Sequence, residues 1–318
     1  MAIKCIALDL DGTTLDQDGR LPEANRKAIE DAITQGIEIV IASGRAYDTL
    51  PQEVLSIKGI GWAITSNGAA VYRVPEGEAA FRSTLPPEVA EELLACTAKE
   101  NINYETFVVG NAYTDRKMYD DPMAYGCTEY GAKYLRSTRK PVPDIREFIL
   151  EHCAELDSIE LVTHDKAERD RLWKVLEQRF PDLYITSSFF HLLELSSPSS
   201  GKSNALSWVL EQLGLTPEET VAFGNADNDI DMIQMAGIGV AVADATESCR
   251  KAADRYRGRS EYKTAFFAAL GPGLRQGSSK AWHSMPPGSY RAPPIRRAPP
   301  TCCRRDIRRG PFPRSAPA

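Results

Sequence analysis

The sequence predicts an α/β protein: a doubly wound parallel Rossmann-like core sheet with an inserted α+β cap domain. Three observations lead to this prediction. Near the N-terminus, and again after residue 200, short apolar runs alternate with amphipathic helical segments, as in βαβ units. Between these regions the strand-like runs alternate apolar and polar residues, which is typical of antiparallel strands. Carboxyl and hydroxyl side chains follow several apolar runs, where a parallel sheet places its ligand site.

The first strand-helix-strand unit occupies the N-terminal region. The run "IKCIAL" at residues 3–8 predicts a strand that ends at Asp9, and "DLDGTTLDQDGRL" continues with two D-G turns. The segment "LPEANRKAIEDAITQG" has a proline in its first turn and apolar residues at helical spacing. "IEIVIASGR" is a second buried strand that ends at Ser43, so a parallel pair with a right-handed crossover is expected. A helix over residues 46–56 and a strand with an N-G turn in "GWAITSNGAAVYRV" follow.

A different pattern marks the inserted domain. Helices are predicted at "PPEVAEELLACTAKEN", "DIREFILEHC" and "KAERDRLWKVLEQRF", and strands at "YETFVVGNAYTD", "SIELVTH", "LYITSS" and "FFHLLELS". The parallel pattern resumes with the helix "GKSNALSWVLEQLGL", the strand "TVAFG", the helix "DIDMIQMAG", the strand "IGVAVA" and the helix "ATESCRKAADRY". We therefore predict a core in two parts, residues 1–84 and 195–270, a cap at 85–194 and a tail at 271–318.

The composition is that of a soluble globular protein. Of the 318 residues, 42% are hydrophobic and 26% are charged, which is near the average for such proteins. No apolar run is as long as a membrane span, and the opening "MAIKCIALDLD" reaches acidic residues too early for a signal peptide. We therefore expect a cytoplasmic protein without a membrane partner. The seven Cys residues form no C-x-x-C pair, and we expect reduced, structural thiols.

The charge is divided unevenly along the chain. The net charge of −6 combines a tail of about +9 at residues 271–318 with a body of about −15. An acidic body does not suggest nucleic-acid binding. The tail is rich in Pro and Arg and lacks apolar periodicity, so we expect it to be disordered. It could be a basic arm for an anionic partner, a polyproline ligand, an appendage without a role, or the product of a shifted reading frame or cloning artefact.

The segment "VAFGNADNDIDM" is unusually rich in Asn and Asp. It carries Asn225, Asp227, Asn228, Asp229 and Asp231 just after a buried strand. One interpretation is a solvated turn with a helix N-cap, since these side chains satisfy free backbone N–H groups. The other is a cation site, because hard divalent ions take several oxygen ligands from one short segment.

Several functional side chains are predicted to meet at the carboxyl ends of the parallel strands. Asp9 and Asp11 follow one strand, Ser43 follows a second, and the Asn- and Asp-rich loop follows a third. Lys202 opens the helix that leads into that third strand. Together these residue types suit phosphoryl transfer: a carboxylate nucleophile, a second carboxyl group, a hydroxyl and an ammonium for phosphate oxygens, and a metal.

Four motifs in this order resemble those of the haloacid dehalogenase superfamily of phosphatases. "DLDGT" matches the D-x-D-G-T motif, "IASGR" the Ser/Thr motif, "GKSNAL" the Lys motif and "FGNADNDIDM" the G-D-x-x-N-D motif. The resemblance covers roughly residues 1–270. The position of the insert, between the second and third motifs, is similar to the Cof-type sugar-phosphatase branch, subfamily IIB.

The resemblance implies a role for each motif residue. Asp9 would be the nucleophile that becomes an aspartyl-phosphate, and Asp11 the general acid and then the base. Ser43 would hydrogen-bond the phosphoryl oxygens, and Lys202 would screen charge between phosphate and Asp9. The candidate substrate-binding residues, which could instead be turn or surface residues, are Gly12, Thr13, Gly44, Arg45, Asn67 and Gly68. The candidate ligands for Mg²⁺ are Asp9, Asp11, Asn225, Asn228 and Asp229, with Asp227 nearby.

Two positions depart from the family pattern. Ser203 follows Lys202 where the family usually has Gly, which is a mild change. Asn225 stands where the family has its first acidic metal ligand in the last motif. An amide oxygen can bind a divalent cation, but it lacks the charge of a carboxylate. We therefore expect weaker metal binding and not an inactive site.

The sequence as a whole predicts a phosphoric monoester hydrolase. The resemblance implies a Mg²⁺-dependent phosphatase that hydrolyses a small phosphorylated metabolite, with a sugar phosphate favoured, beneath a cap that excludes water. The alternatives are a phosphotransferase or mutase with the same intermediate, and a catalytically weak phosphate-binding protein because of Asn225. Either a monomer or a homodimer is compatible with the sequence.

Overall fold

The computed structural model describes residues 2–125 and 127–256, so the predicted tail at 271–318 lies outside the described part. The described residues form two sheets and their helices, and the predicted fold class is confirmed. The strands are β1 Cys5–Leu8, β2 Glu38–Ala42, β3 Ile60–Thr65, β4 Ala70–Arg73, β5 Ala79–Arg82, β6 Asn103–Val108, β7 Asn111–Asp115, β8 Lys140–Val142, β9 Leu156–Val162, β10 Tyr184–Thr186, β11 Leu192–Ser196, β12 Thr220–Gly224, β13 Ile238–Ala241 and β14 Arg255–Tyr256. The helices are α1 Glu23–Thr34, α2 Gln52–Leu55, α3 Pro87–Cys96, α4 Arg116–Asp120, α5 Glu129–Thr138, α6 Ile145–Glu151, α7 Lys166–Arg179, α8 Lys202–Leu213, α9 Ile230–Met235 and α10 Glu247–Ala252.

The core sheet has its functional strands at its centre. Its eight strands run in the order β14-β13-β12-β1-β2-β3-β4-β5, so β1 lies between β12 and β2. The pairs from β14 to β3 are parallel, while β4 and β5 form an antiparallel edge. Helix α1 packs on one face of β1 and helix α8 on the other. Because both faces are covered, β1 is apolar at every position.

The cap sheet has one apolar face and one polar face. Its six strands run in the order β10-β11-β9-β6-β7-β8, and all pairs are antiparallel except β7 with β8. On the apolar face, residues such as Ile159, Leu161 and Leu193 pack against helices α3, α6 and α7. The alternation that predicted antiparallel strands therefore reflects burial against helices on one side and contact with polar groups on the other.

The predicted helix over residues 46–56 is wrong. The structure has a 3₁₀ turn at Tyr47–Thr49 and the short α2 at Gln52–Leu55, with Pro51 between them. Proline lacks an N–H and disfavours the helical conformation of the residue before it, Leu50, so the segment divides there. The sequence interpretation missed the short elements β5, β8, β14 and α4, and also the ten-residue helix α5.

The division of the chain at residues 84, 194 and 270 stays a prediction. None of the helices within the described ranges combines the length and apolar composition that crossing a bilayer requires. The five cysteines that the structure describes are free thiols.

Candidate active site

The motif residues follow three neighbouring strands of the core sheet. Asp9 follows β1, Ser43 follows β2, and Asn225 follows β12. Because β1 pairs with both other strands in parallel, the three residues lie at one edge of the sheet. The backbone N–H of Asp9 continues the ladder and donates to the carbonyl oxygen of Phe223 at 3.1 Å.

Lys202 joins two carboxylates beneath this edge. Its Nζ donates to Oδ1 of Asp9 at 2.8 Å and to Oδ1 of Asp229 at 2.6 Å, and its side chain is fully buried. Burial acts to lower the pKa of the Lys202 ammonium, but the charges of Asp229 and Asp9 outweigh burial and raise it. Lys202 therefore remains a cation whose position is fixed by two acceptors.

The two carboxylate oxygens of Asp9 differ in their hydrogen bonds. Oδ1 accepts from Lys202, whereas the buried Oδ2 has no hydrogen-bond partner among the described residues. Burial raises the pKa of the Asp9 carboxyl to about 7, the Asp229 carboxylate adds to the rise, and Lys202 opposes it. A buried carboxylate oxygen without a partner is costly to keep, so its retention at a strand end indicates a ligand site.

Asp11 is paired with Arg45. Nε of Arg45 donates to Oδ2 of Asp11 at 2.7 Å, and Nη2 donates to Oδ1 at 2.6 Å, which is a bidentate arrangement. Nη1 of Arg45 donates to the carbonyl oxygen of Thr49 at 2.9 Å. The guanidinium lies 5.3 Å from the ring centroid of Tyr134, which belongs to α5 of the cap. The general-acid candidate and the cap are thus connected through one Arg side chain.

The turn at Asn67 connects three parts of the site. Its backbone N–H donates to the carbonyl oxygen of Ser43, and its own carbonyl oxygen accepts from the N–H of Gly201, just before Lys202. Its side-chain oxygen accepts from Nδ2 of Asn228 at 2.9 Å. Oγ of Ser43 is buried and accepts from the N–H of Arg45 at 3.2 Å. Asn67, one of the candidate substrate-binding residues, is buried at the centre of this network.

Two glycines lie where another segment of the site comes close to the backbone. Gly12 has φ of +77°, and a Cβ there would collide with the side-chain amide of Asn225. Gly68 has φ of +92°, and a Cβ there would collide with the backbone of Gly201. Only glycine fits these positions without strain. Gly44 borders the same space, because a Cβ there would lie 3.0 Å from Oδ1 of Asn67.

The Asn- and Asp-rich loop uses most of its carboxylates for its own conformation. Oδ2 of Asp229 accepts from the N–H groups of Asn225 at 2.8 Å and Ala226 at 3.1 Å, while its Oδ1 accepts from Lys202. The carboxylate of Asp227 accepts from the hydroxyls of Thr246 and Ser248, away from Asp9. The turn interpretation therefore accounts for these two residues.

Asn225 faces the loop that carries Asp9 and Asp11. Its Oδ1 accepts from the hydroxyl of Thr13 at 3.2 Å, and its Nδ2 lies against Gly12. Ser203, the other departure from the family pattern, donates through both N–H and hydroxyl to Oδ2 of Asp231. Oδ2 of Asp231 also accepts from the hydroxyl of Tyr184, a cap residue, at 3.4 Å.

The oxygen atoms around Asp9 suit Mg²⁺ as ligands, although few of them carry a negative charge. The unpartnered Oδ2 of Asp9 and the amide oxygen of Asn225 are hard donors on adjacent strand ends. Within the described ranges, no three His, Cys, Asp or Glu side chains form a group that could hold a metal alone. Mg²⁺ commonly keeps several waters and takes one or two carboxylates plus substrate phosphate, so a sparse protein set still suits it.

The sequence interpretation missed the cap residues that reach this site. Oε1 of Glu194, on β11, accepts from Nδ2 of Asn67 at 3.1 Å. Glu105 on β6 and Glu160 on β9 lie beside it on the same face of the cap sheet. A signal was present, because each of the three interrupts a largely apolar strand, in "YETFV", "SIELV" and "LLELS". A charged residue at a position expected to be buried is informative by itself.

The comparison with known proteins agrees with this arrangement. The sequence profile of the haloacid dehalogenase-like hydrolases matches residues 6–262. The chain belongs to this family. It is 32% identical over 270 residues to phosphatase YwpJ of Bacillus subtilis, which covers 79% of this chain and 93% of the relative. The predicted family and the predicted enzyme class are confirmed. The chain is a Cof-type phosphatase, a hydrolase of phosphoric monoesters.

Solved structures share the fold. A haloacid dehalogenase-like hydrolase from B. subtilis is 29% identical, has a TM-score of 0.69, and the alignment covers 86% of this chain and 99% of that one. A subclass IIB sugar phosphatase is 23% identical with a TM-score of 0.71, over 85% of this chain and 99% of that one. At that identity the second likeness concerns the fold alone.

Proposed function

We propose that this phosphatase hydrolyses a small phosphorylated metabolite through an aspartyl-phosphate on Asp9, with the help of Mg²⁺. The observation that carries the proposal is the asymmetric environment of the Asp9 carboxylate. Lys202 holds Oδ1, and in the described part of the chain Oδ2 has no hydrogen-bond partner, at the edge where parallel sheets bind ligands. A fixed carboxylate with one unused oxygen is suited to nucleophilic attack.

In the first step, Oδ2 of Asp9 attacks phosphorus and the bond to the leaving oxygen breaks. Asp11 gives its proton to that oxygen, so an alcohol leaves. In the second step, Asp11 takes a proton from water, the water oxygen attacks phosphorus, and the bond to Asp9 breaks. Inorganic phosphate and free Asp9 result, and atoms and charges balance over the two steps.

The pair between Asp11 and Arg45 has to break during this cycle. Both oxygens of Asp11 accept from Arg45 in the structure, so neither is free to carry a proton. A guanidinium binds phosphate oxygens in the same bidentate manner as a carboxylate. We therefore assign Arg45 a second role, in which it turns to the substrate phosphate and releases Asp11. Once released, Asp11 takes up from water the proton that it gives to the leaving oxygen. Ser43 and Asn228 are proposed to hold the remaining phosphoryl oxygens.

The proposed ligands of Mg²⁺ are the Asp9 carboxylate, the main-chain carbonyl of Asp11 and the Asn225 amide oxygen. When bound, the ion would supply positive charge beside the phosphoryl oxygens. Asp229 was a candidate ligand in the sequence, but its oxygens already accept from Lys202 and two amides, so we propose that it positions Lys202. A sugar phosphate is favoured as substrate because the four motifs and the position of the insert resemble the Cof-type sugar-phosphatase branch.

The test is release of inorganic phosphate from para-nitrophenyl phosphate across a Mg²⁺ titration. We expect Mg²⁺-dependent turnover in the wild type and a loss of about a thousandfold or more in Asp9→Asn. Asp18→Asn, the same change at an exposed loop residue, should leave turnover unaltered. Asn225→Asp should lower the Mg²⁺ concentration needed for half-maximal activity by about tenfold, since it restores a charged ligand.

Three other outcomes of this assay would contradict the proposal or change it. Full activity in Asp9→Asn would remove Asp9 as nucleophile. Consumption of ester without matching release of phosphate would point to transfer to another acceptor. Turnover in Asn225→Asp alone would identify the natural protein as a phosphate-binding relative of the enzymes.

A further inference from the structure

Three glutamates form a row across the cap sheet. In the strand register, Glu105 of β6 is opposite Glu160 of β9, and Glu160 is opposite Glu194 of β11. All three side chains are almost fully buried, with exposures of 5%, 2% and 3%. Like charges directly opposite one another destabilise a sheet, so the row is not explained by sheet stability.

The row lies on the face of the cap sheet that meets the core. The residues next to it along the strands, such as Tyr104 and Leu161, point to the helices on the opposite face. On the row's own face, Glu194 accepts from Asn67 of the core, and Phe107 packs with Ala46 of the core. Asn67 also contacts Asn228, so the row begins two side chains away from the proposed phosphate site.

The positive charge available to the row is smaller than its negative charge. Arg139 pairs with Oε2 of Glu105 at 2.7 Å and lies 3.8 Å from Oε2 of Glu160. Lys202 acts on Glu194 electrostatically, but its ammonium is held by two aspartates at the core. Burial lowers the pKa of the neighbouring His191, so its imidazole favours the neutral form.

Several oxygens on this face have no hydrogen-bond partner among the residues that the structure describes. Oε2 of Glu160 has none, although the side chain is almost fully buried. The hydroxyls of Ser158 and Ser196, which are opposite each other one step along the same face, also have none. Burial, with the charges of Glu194 and Glu105, raises the pKa of Glu160 well above its usual range, against the effect of Arg139. Buried unpaired oxygens of this kind require a donor, and an excess of carboxylates favours a cationic one.

We propose that the row of Glu105, Glu160 and Glu194 binds a protonated amino group on the substrate's leaving group, so that the preferred substrate is a phosphate ester of an amino sugar or similar amino alcohol. The inference rests on the proposed function, because it assigns the leaving-group end of the same site. A protonated primary amine brings one positive charge and three donors. A hydroxyl in its place brings one donor and no charge, so it leaves the carboxylates uncompensated.

The experiment compares glucosamine 6-phosphate with glucose 6-phosphate, which differ by an amine in place of a hydroxyl. We expect kcat/KM to favour the amine by about tenfold or more in the wild type. Glu160→Gln keeps the shape and an acceptor oxygen but removes the charge, so the ratio should fall towards one. Glu151→Gln, at an exposed position of α6 in the same cap, should retain the wild-type ratio.

Turnover of para-nitrophenyl phosphate separates the two proposals. Its leaving group has no amine, so its turnover by the wild type tests the proposed function without involving the amine site, and the exposed control Glu151→Gln should hydrolyse it within about twofold of the wild-type rate. If the wild type hydrolyses it but does not distinguish the two sugar phosphates, the amine site is refuted and the proposed function stands. If it is not hydrolysed at all, the proposed function fails.

A binding measurement keeps the amine site testable without turnover. Calorimetric titration of the Asp9→Asn variant with each sugar phosphate should show tighter binding of the amine, and Glu160→Gln in that background should abolish the difference. Equal binding of both sugars before the second substitution would overturn the inference.

Discussion

The carboxylates at the core strand ends and those on the cap sheet are both buried, yet their surroundings differ. In the core, Asp9 and Asp229 share one lysine, and Oδ2 of Asp9 has no hydrogen-bond partner within the described ranges. In the cap, Glu105 and Glu160 share one arginine, Glu194 accepts from Asn67, and three oxygens on that face have no hydrogen-bond partner among the described residues. Lys202 is hydrogen-bonded to both core carboxylates before substrate arrives, which suits chemistry common to all substrates. The cap set requires a ligand to complete it, which suits selection among substrates.

The largest expected effect comes from removing the cation that the two core aspartates share. Lys202→Met leaves Asp9 and Asp229 buried without their shared partner, so we expect a loss of about 3–5 kcal/mol in the free energy of unfolding, together with loss of turnover. Urea unfolding monitored by circular dichroism measures the first. Lys27→Met, which breaks an exposed pair with Asp31, should cost about 1 kcal/mol or less.

A double variant decides whether the loss comes from the unpaired carboxylates. Adding Asp229→Asn to Lys202→Met removes one of the two buried charges and should recover part of the stability without restoring turnover. If the double variant has a lower free energy of unfolding than Lys202→Met, the unpaired carboxylates do not cause the loss. The role assigned to Lys202 in the core is then wrong.

A smaller effect, still shared by all substrates, is expected at Arg45. Arg45→Lys keeps the charge but cannot form the bidentate contact with Asp11 or phosphate, so kcat/KM should fall about tenfold. The fall should be equal for para-nitrophenyl phosphate and for both sugar phosphates, unlike that of a cap variant. Arg116→Lys at an exposed site of α4 is the matched control. A change confined to one substrate would move Arg45 from the shared chemistry to substrate selection.

The same contrast explains what the sequence could predict. Asp9, Asp11, Lys202 and Asn225 lie in short continuous motifs, each after a strand or at a helix start, so spacing and strand order were enough to bring them together. The bidentate Asp11–Arg45 pair was not predictable, because it depends on side-chain direction across a gap of 34 residues. Asn67 was a candidate residue in the sequence, but its backbone hydrogen bonds with Ser43 and Gly201 could not be predicted.

The glutamate row was beyond sequence reasoning for a different reason. Glu105, Glu160 and Glu194 come from three separate strands, and only the pairing register shows that they are neighbours. A shift of one residue in any strand would move its glutamate to the opposite face. A single sequence contains the alternation of each strand, but not the register between them.

The measurement that tests the central claim most directly is the capture of the phosphoryl group on Asp9. para-Nitrophenolate leaves without needing a proton, so Asp11→Asn should slow the hydrolysis of the intermediate more than its formation. Acid quenching during turnover, followed by mass spectrometry of the peptide that contains Asp9, should then show one added phosphoryl group in Asp11→Asn and none in Asp9→Asn. A phosphoryl group on another residue, or none in an Asp11→Asn variant that still releases nitrophenolate, would contradict the account.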